Sequence, residues 1–326
     1  LGLFGVTSLD AQIKNIHMTG LISGKNYVGS IIGYNQGQVL NVTSTATIQG
    51  ERYVGGLLGF SSHKLYEGMY EGTLQGKSYV GGLVGYLASS GSIEMSYHKG
   101  YVRSELSYTG GIAGYAETDS SIKTSFNMGL IESYGTYLGG LVGYLEGSIE
   151  SSYNRGDIVG YNLYVGGISG YSKGSMNEVY HAGKIYGLGI LGGLIGQNEG
   201  QIQNAYYDLS IIEEARPINL LVKPVQSISN QADQLDVLGL SHEYMVGTDK
   251  LEGVYKTMNL NPDQWYLRDG NDFTSYYPEL LSFNEHRVES FRTDSYQSIK
   301  YQVFDGEGTL LNPYIIKDAK DMKTLQ

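Results

Sequence analysis

The sequence predicts an all-β parallel solenoid of about eight coils followed by a smaller mixed α/β region. Three observations lead there: an octapeptide that returns every 26 to 29 residues, a looser apolar motif between its copies, and a sharp change of composition near residue 210.

The octapeptide reads YVGSIIGY from Tyr27, YVGGLLGF from Tyr53, YVGGLVGY from Tyr79, YTGGIAGY from Tyr108, YLGGLVGY from Tyr137, YVGGISGY from Tyr164 and ILGGLIGQ from Ile190. Gly2-Leu3-Phe4-Gly5 fits as the end of an eighth copy, so the sequence reads as a piece of a longer chain. Between the copies runs G-x-I-x-x-x-Y-N-x-G-x-I, clearest at Gly147, Ile149, Tyr153, Asn154, Gly156 and Ile158. Each unit holds two or three short runs of Val, Ile, Leu and Tyr between Gly, Asn and Ser clusters, which is the chemistry of strands and turns. A propeller blade needs about 40 residues or more and a helical hairpin repeat about 33 or more, so a unit this short fits one coil of a parallel β-solenoid.

In such a coil, equivalent residues stack at about 4.8 Å, and each position repeats its residue type. Ile31, Leu57, Leu83, Ile112, Leu141, Ile168 and Leu194 are expected to form one interior column, and Ile93, Ile122, Ile149, Met176 and Ile202 another. Paired glycines such as Gly81-Gly82 and Gly139-Gly140 weaken a strand unless no Cβ fits, so they mark either a left-handed corner or a close backbone approach. Asn127, Asn154, His98 and His181 share one position ahead of a glycine and are expected in turns, as residue types tolerant of left-handed backbone, with a polar ladder as a further reading.

Tyrosine is abundant, with 30 copies, and half of them lie in three columns. Tyr27 to Tyr164 form the first, Tyr34, Phe60, Tyr86, Tyr115, Tyr144 and Tyr171 the second, and Tyr97, Phe126, Tyr153, Tyr180 and Tyr206 the third. Stacked ladders that stabilise neighbouring coils account for them most simply. The alternative is a Tyr-lined face for a glycan or a host protein, with Tyr86, Tyr115, Tyr144 and Tyr171 as its candidate residues.

The composition then breaks. Of 47 glycines, 41 precede residue 210, and all five prolines (Pro217, Pro224, Pro262, Pro278, Pro313) follow it. Residues 1–210 are expected to be the solenoid, 211–284 a cap over its open end, and 285–326 a linker and the start of a further module. An uncovered end exposes strand edges and apolar core, which is why a cap is expected. Helices are expected over Thr248 to Met258, over Ser229 to Leu238 and over Asp318 to Leu325, and Trp265 as a core anchor of the cap.

Functional signals are sparse. The net charge of −11 argues against nucleic acid, which needs a basic footprint. No apolar run is long enough for a membrane helix. The absence of Cys removes disulfides, thiol nucleophiles and Cys-based zinc sites together. His242-Glu243 lacks the second His of an HExxH zinc motif, since Val246 stands there. Asp269-Gly270-Asn271-Asp272 lacks the twelve-residue calcium-loop spacing and reads as a turn. Glu94, Asp157 and Glu178 recur singly, without the irregular insertion where a polysaccharide-cleaving β-helix gathers its acids. No enzyme activity, cofactor or metal is expected.

The octapeptide followed by the Y-N-x-G motif resembles the GLUG repeat of large bacterial surface and adhesin-like proteins, found also in non-catalytic regions of streptococcal IgA-specific metallopeptidases. The resemblance covers residues 1 to about 210. Tyr277-Pro278-Glu279-Leu280 looks like part of the segment that closes such repeat blocks, and Gly306-Glu307-Gly308-Thr309 like the opening of another. It implies an extracellular β-helical module on a bacterial surface, with neighbouring modules of the same longer chain as partners and no catalytic residues. The expected function is a stalk or adhesin-array module. Its alternatives are glycan or host-protein binding, or the non-catalytic region of a large secreted peptidase.

Overall fold

The computed structural model describes residues 1–209, 226–228, 237–240, 245, 258–266 and 277–285. The first 209 residues wind into a parallel β-solenoid of about eight coils with three faces. Both strands of each octapeptide, such as Tyr137–Gly139 and Val142–Leu145, belong to a 15-stranded sheet. The looser motif supplies an 11-stranded second face through strands such as Ser148–Asn154. Its last positions supply a 7-stranded third face through strands such as Ile158–Gly160.

The expected columns are present. Ile31, Leu57, Leu83, Ile112, Leu141, Ile168 and Leu194 are all buried. Ile93, Ile122, Ile149, Met176 and Ile202 follow one another in strict register. The third face adds Ile48, Leu74, Val102, Ile131, Ile158 and Ile185, and all three columns meet in one core. Each fully buried aliphatic side chain is worth about 1.5–3 kcal/mol, but only because coils above and below cover it.

The paired glycines answer to close approach. A Cβ on Gly82 would lie 2.0 Å from the Gly111 carbonyl oxygen and 2.6 Å from the His98 ring, and one on Gly140 would lie 2.1 Å from the Gly167 oxygen. The backbone of the next coil and a polar side chain of the same coil therefore fill the site.

The left-handed positions fall elsewhere than expected. One column, Asn15, Asn41, Glu67, Met95, Thr124, Ser151, Glu178 and Asn204, takes φ between 44° and 59°. It bends every strand of the second face. Ser96, Ser125 and Ser152 follow the bend, and their hydroxyls accept main-chain N–H groups of the preceding coil from Gly68, Ser96 and Ser125 at 2.9, 3.2 and 3.1 Å. Side-chain oxygens thus take ladder donors that the bend leaves over, as buried donors require.

Asn127, Asn154, His98 and His181 are not left-handed turn residues. They lie in register within strands, point inward and are fully buried. They form the polar ladder: His98 Nδ1 meets Asn127 Oδ1 at 2.7 Å, Asn127 Nδ2 donates to Asn154 Oδ1 at 2.7 Å, and Asn154 Nδ2 meets His181 Nδ1 at 2.9 Å. Tyr70 and Tyr207 occupy the rungs at its two ends. A turn assignment fails because the glycine two residues on only clamps the amide, without requiring the Asn to turn.

The described part of the tail does two things. Gln226–Ile228 and Val237–Leu240 each add a parallel strand to the last coil, on the first and second faces, with Val237 in the core. Val237 and Leu238 are therefore strand where the end of a helix was expected, because they continue the ladder of Gln201–Asp208. Residues 258–266 and 277–283 then run along the flank of the second face, over the third aromatic column. The remainder of the expected helices, residues 229–236, 248–257 and 318–325, lies outside the described residues, as does all but the first residue of the linker and further module expected over 285–326.

Trp265 is buried as an anchor, though against the solenoid itself. Its ring packs on Tyr153 and Tyr180 at 6.1 and 5.6 Å, and its Nε1 donates to Glu178 at 3.1 Å. Phe283 meets Phe126 edge-on at 4.9 Å. The Tyr180 hydroxyl donates to the Pro278 carbonyl at 2.6 Å, and that of Tyr277 to Asp208 at 2.5 Å. Arg155 lies 5.1 Å from the Tyr277 ring centroid and 3.9 Å from Glu279, in a pair that is nearly dry.

Candidate functional site

The first two aromatic columns run side by side along the first face. Tyr86, Tyr115, Tyr144 and Tyr171 stack at centroid distances of 5.0, 5.1 and 4.8 Å with nearly parallel planes. Tyr108 and Tyr137 of the neighbouring column meet Tyr115 and Tyr144 edge-on at 5.5 and 5.3 Å. All four candidates are half-buried. Their ring faces cover one another, so the column presents edges and hydroxyls to solvent rather than flat platforms.

Those hydroxyls are engaged by the turn one coil further on. Tyr86 bonds Glu117, Tyr115 bonds Glu146 and Tyr171 donates to Glu199. Burial, followed by these carboxylates, pushes all three phenols above their ordinary range. Lys173 takes the corresponding place beside Tyr144, its Nζ 5.9 Å from that ring centroid and 6.0 Å from Tyr171. The column therefore borders a row of three carboxylates and one ammonium.

A change in turn length hollows out the surface beside that row. Between strands aligned in register, the turn spans 88–91 and 117–120 in two successive coils, and only 146–147, 173–174 and 199–200 in the next three. The longer turn stands over the shorter ones as a wall. The resulting depression is open to solvent, has a volume of about 500 Å³ and is lined by Asp119, Ser121, Glu146, Lys173, Glu199 and Gln201 among others. That volume lies in the range of small-molecule sites, though the lining is more polar than usual. The 29-residue spacings were the available signal for this step in the sequence.

A second aromatic feature was not singled out from sequence. Tyr134 and Tyr161 stack at 4.5 Å on the corner that follows the third face, at 41% and 43% exposure, with Arg103 5.4 Å from the Tyr134 centroid. These two precede the octapeptide and recur in only two coils, which hid them. Among the described residues no group of three or more His, Asp or Glu is placed to hold a metal ion.

Comparison with known proteins adds one assignment. A model of the GLUG motif matches residues 134–159, a stretch that holds the octapeptide from Tyr137, the strand Ser148–Asn154 and the start of the third-face strand, and so amounts to one coil. No curated protein and no solved structure matches the chain. The matched coil stacks in register on neighbours that repeat its sequence pattern, so the match to the GLUG motif at residues 134–159 supports reading the β-solenoid as a GLUG-repeat module.

Proposed function

We propose that this module is a rigid spacer in a bacterial extracellular surface protein, one unit of a stalk or adhesin array in which neighbouring modules of the same chain are its partners. The observation that carries the reading is uniform register: the second-face strands pair parallel from Gln12 to Asp208 without a register shift, through Val39, Leu65, Ile93, Ile122, Ile149, Met176 and Ile202. About eight coils at about 4.8 Å give roughly 40 Å of stiff length. A spacer needs length and stiffness, and regular repetition supplies both with no catalytic insertion.

The test is to lengthen it. A second copy of residues 139–165 inserted after Val165 should fold and extend the particle by about 4.8 Å in solution scattering. A disordered insert, or no gain in length, would remove the basis of the proposal. Antibody labelling of intact source cells tests the location.

The groove beside Tyr144 and Tyr171 favours a second reading, a polar glycan held by hydroxyl and carboxylate hydrogen bonds. A glycan panel followed by Tyr fluorescence and by NMR of Lys173 and Gln201 would detect it. No response from a folded sample would leave the spacer reading alone.

A further inference from the structure

The two outer aromatic columns form one continuous array of rings. Centroids are 4.6 to 5.7 Å apart along the column from Tyr27 to Tyr164 and 4.3 to 5.6 Å apart along the column from Tyr34 to Tyr171. The columns touch each other at 5.3 to 6.1 Å. Five steps at the coil spacing carry the array over about 24 Å. Every ring but Phe60 is a tyrosine, and Tyr53 carries the run of phenols past it. Stacking alone does not account for the hydroxyls, because Phe60 holds its rung with a bare ring.

The hydroxyls differ along the array. Those of Tyr86, Tyr115 and Tyr171 bond the carboxylates of Glu117, Glu146 and Glu199, which can take up a proton. Tyr144 faces the Lys173 ammonium, which cannot. Near the other end the Arg52 guanidinium lies 5.2 and 5.8 Å from the Tyr53 and Tyr79 ring centroids, where it disfavours any further positive charge.

We propose that this array is a redox relay: a one-electron oxidant, of the class of a peroxyl radical or a high-valent haem, takes an electron from a ring it reaches, and the vacancy passes from ring to ring to a phenol bonded to a carboxylate. At Tyr86, Tyr115 or Tyr171 the O–H proton then moves to the paired glutamate. The products are a neutral tyrosyl radical, a glutamic acid and the oxidant reduced by one electron. One electron from a reductant of the thiol or enediol class sends the proton back to the phenolic oxygen, so the cycle consumes no residue. The relay does not depend on the module being a spacer.

The chain has no cysteine, so Asn26→Cys, at an exposed strand position beside Tyr27, can carry a single ruthenium–bipyridyl photo-oxidant on the full chain. Samples are flashed with a cobalt(III) ammine as electron acceptor and a nitroso spin trap, at dilutions where the yield no longer depends on concentration. Electron paramagnetic resonance should show a tyrosyl radical, and mass spectrometry should find the trap on Tyr86, Tyr115 and Tyr171. Replacing Tyr53, Tyr79 and Tyr86 together by Phe keeps the rings stacked but leaves two successive coils without a phenol. Adducts at Tyr115 and Tyr171 should then fall at least tenfold with the melting temperature unchanged. Glu199→Gln should lower the Tyr171 adduct at least fivefold and spare that at Tyr115.

Adducts confined to Tyr27 and Tyr34 in the labelled parent would overturn the relay. So would an undiminished Tyr171 adduct in the triple Phe variant, since the vacancy would then travel by another route. An undiminished Tyr171 adduct in Glu199→Gln would overturn the carboxylates as its resting place.

Discussion

Asn127 and Asn154 are joined across the core by an Nδ2–H···Oδ1 bond of 2.7 Å, and neither amide is free to turn over. Gly129 N donates to Asn127 Oδ1 and Gly129 O accepts from its Nδ2, at 3.0 and 3.1 Å, and Gly156 clamps Asn154 in the same way at 3.1 and 3.1 Å. The ladder therefore has a direction. His98 must donate from Nδ1 and keep a bare Nε2, whereas His181 must accept at Nδ1 and carry its proton on Nε2. Both Nε2 atoms are buried without a partner.

Acid should loosen the core through these two rings. Burial lowers both imidazoles to about 4, with the Asn127 bond opposing at His98 and the Asn154 and Gly183 backbone and Asp208 opposing at His181. Tyr70 and Tyr207 are the neutral groups on the adjoining rungs. The unfolded chain takes up the protons first, so stability falls as pH drops from about 6.5 and the loss levels off below about 4. Each ring should cost roughly 2 kcal/mol by pH 5. His98→Asn with His181→Asn, each followed by the required glycine at Gly100 and Gly183, should flatten this part of a denaturation-versus-pH curve. An unchanged slope would remove these rings as its source.

Glycine substitutions should divide by position. Gly140→Val should be severe, because its Cβ would fall 2.1 Å from Gly167 O and 2.2 Å from Asn154 Nδ2. Gly5→Ala should shift the melting temperature little, since nothing lies within 4 Å. Similar thermal shifts for the two would contradict close packing as the reason for the glycines.

Ile149→Asp should unfold several coils at once. The side chain is 1% exposed in a column shared with Ile122 and Met176, and an unpaired carboxylate there costs several kcal/mol. Hydrogen exchange should show lost protection in the coils on both sides. A change confined to the strand Ser148–Asn154 would show that the coils do not cooperate.

Removing the ring beneath Trp265 should loosen the flank while sparing the solenoid. Tyr180→Ala deletes the 5.6 Å contact with Trp265 and the hydroxyl bond to Pro278. Emission from Trp265, the only tryptophan, should move to the red and become accessible to acrylamide, while the far-ultraviolet β signal holds. The cost should approach the ~3–5 kcal/mol typical of large aromatic truncations.

Most of the winding was legible because solenoid columns repeat side-chain type, so the positions of Ile149 or Leu141 could be read by alignment of the sequence with itself. The bend at Asn15, Glu67, Met95 and Ser151 was not. Its left-handed backbone is imposed by neighbouring coils on whichever residue stands there, and no residue type marks it. The inward Asn–His ladder was misplaced for a related reason: a polar residue before glycine has the same signature in a turn and in a strand whose amide is clamped two residues on. The row of Glu117, Glu146, Lys173 and Glu199 depends on turns of two different lengths coming into line, which only the wound chain displays.

The placement of Phe283 over Tyr97 and Phe126 governs how tension would enter the molecule. At Phe283 the chain lies against the side of the stack, several coils short of the coil that carries Tyr206. A pull applied there lifts Phe283 first, then Glu279 and Tyr277, then Trp265, so the attachment gives way as a zipper, one tooth at a time. The wound coils would bear the load only after that seam has opened, which makes the flank a mechanical fuse for the rod.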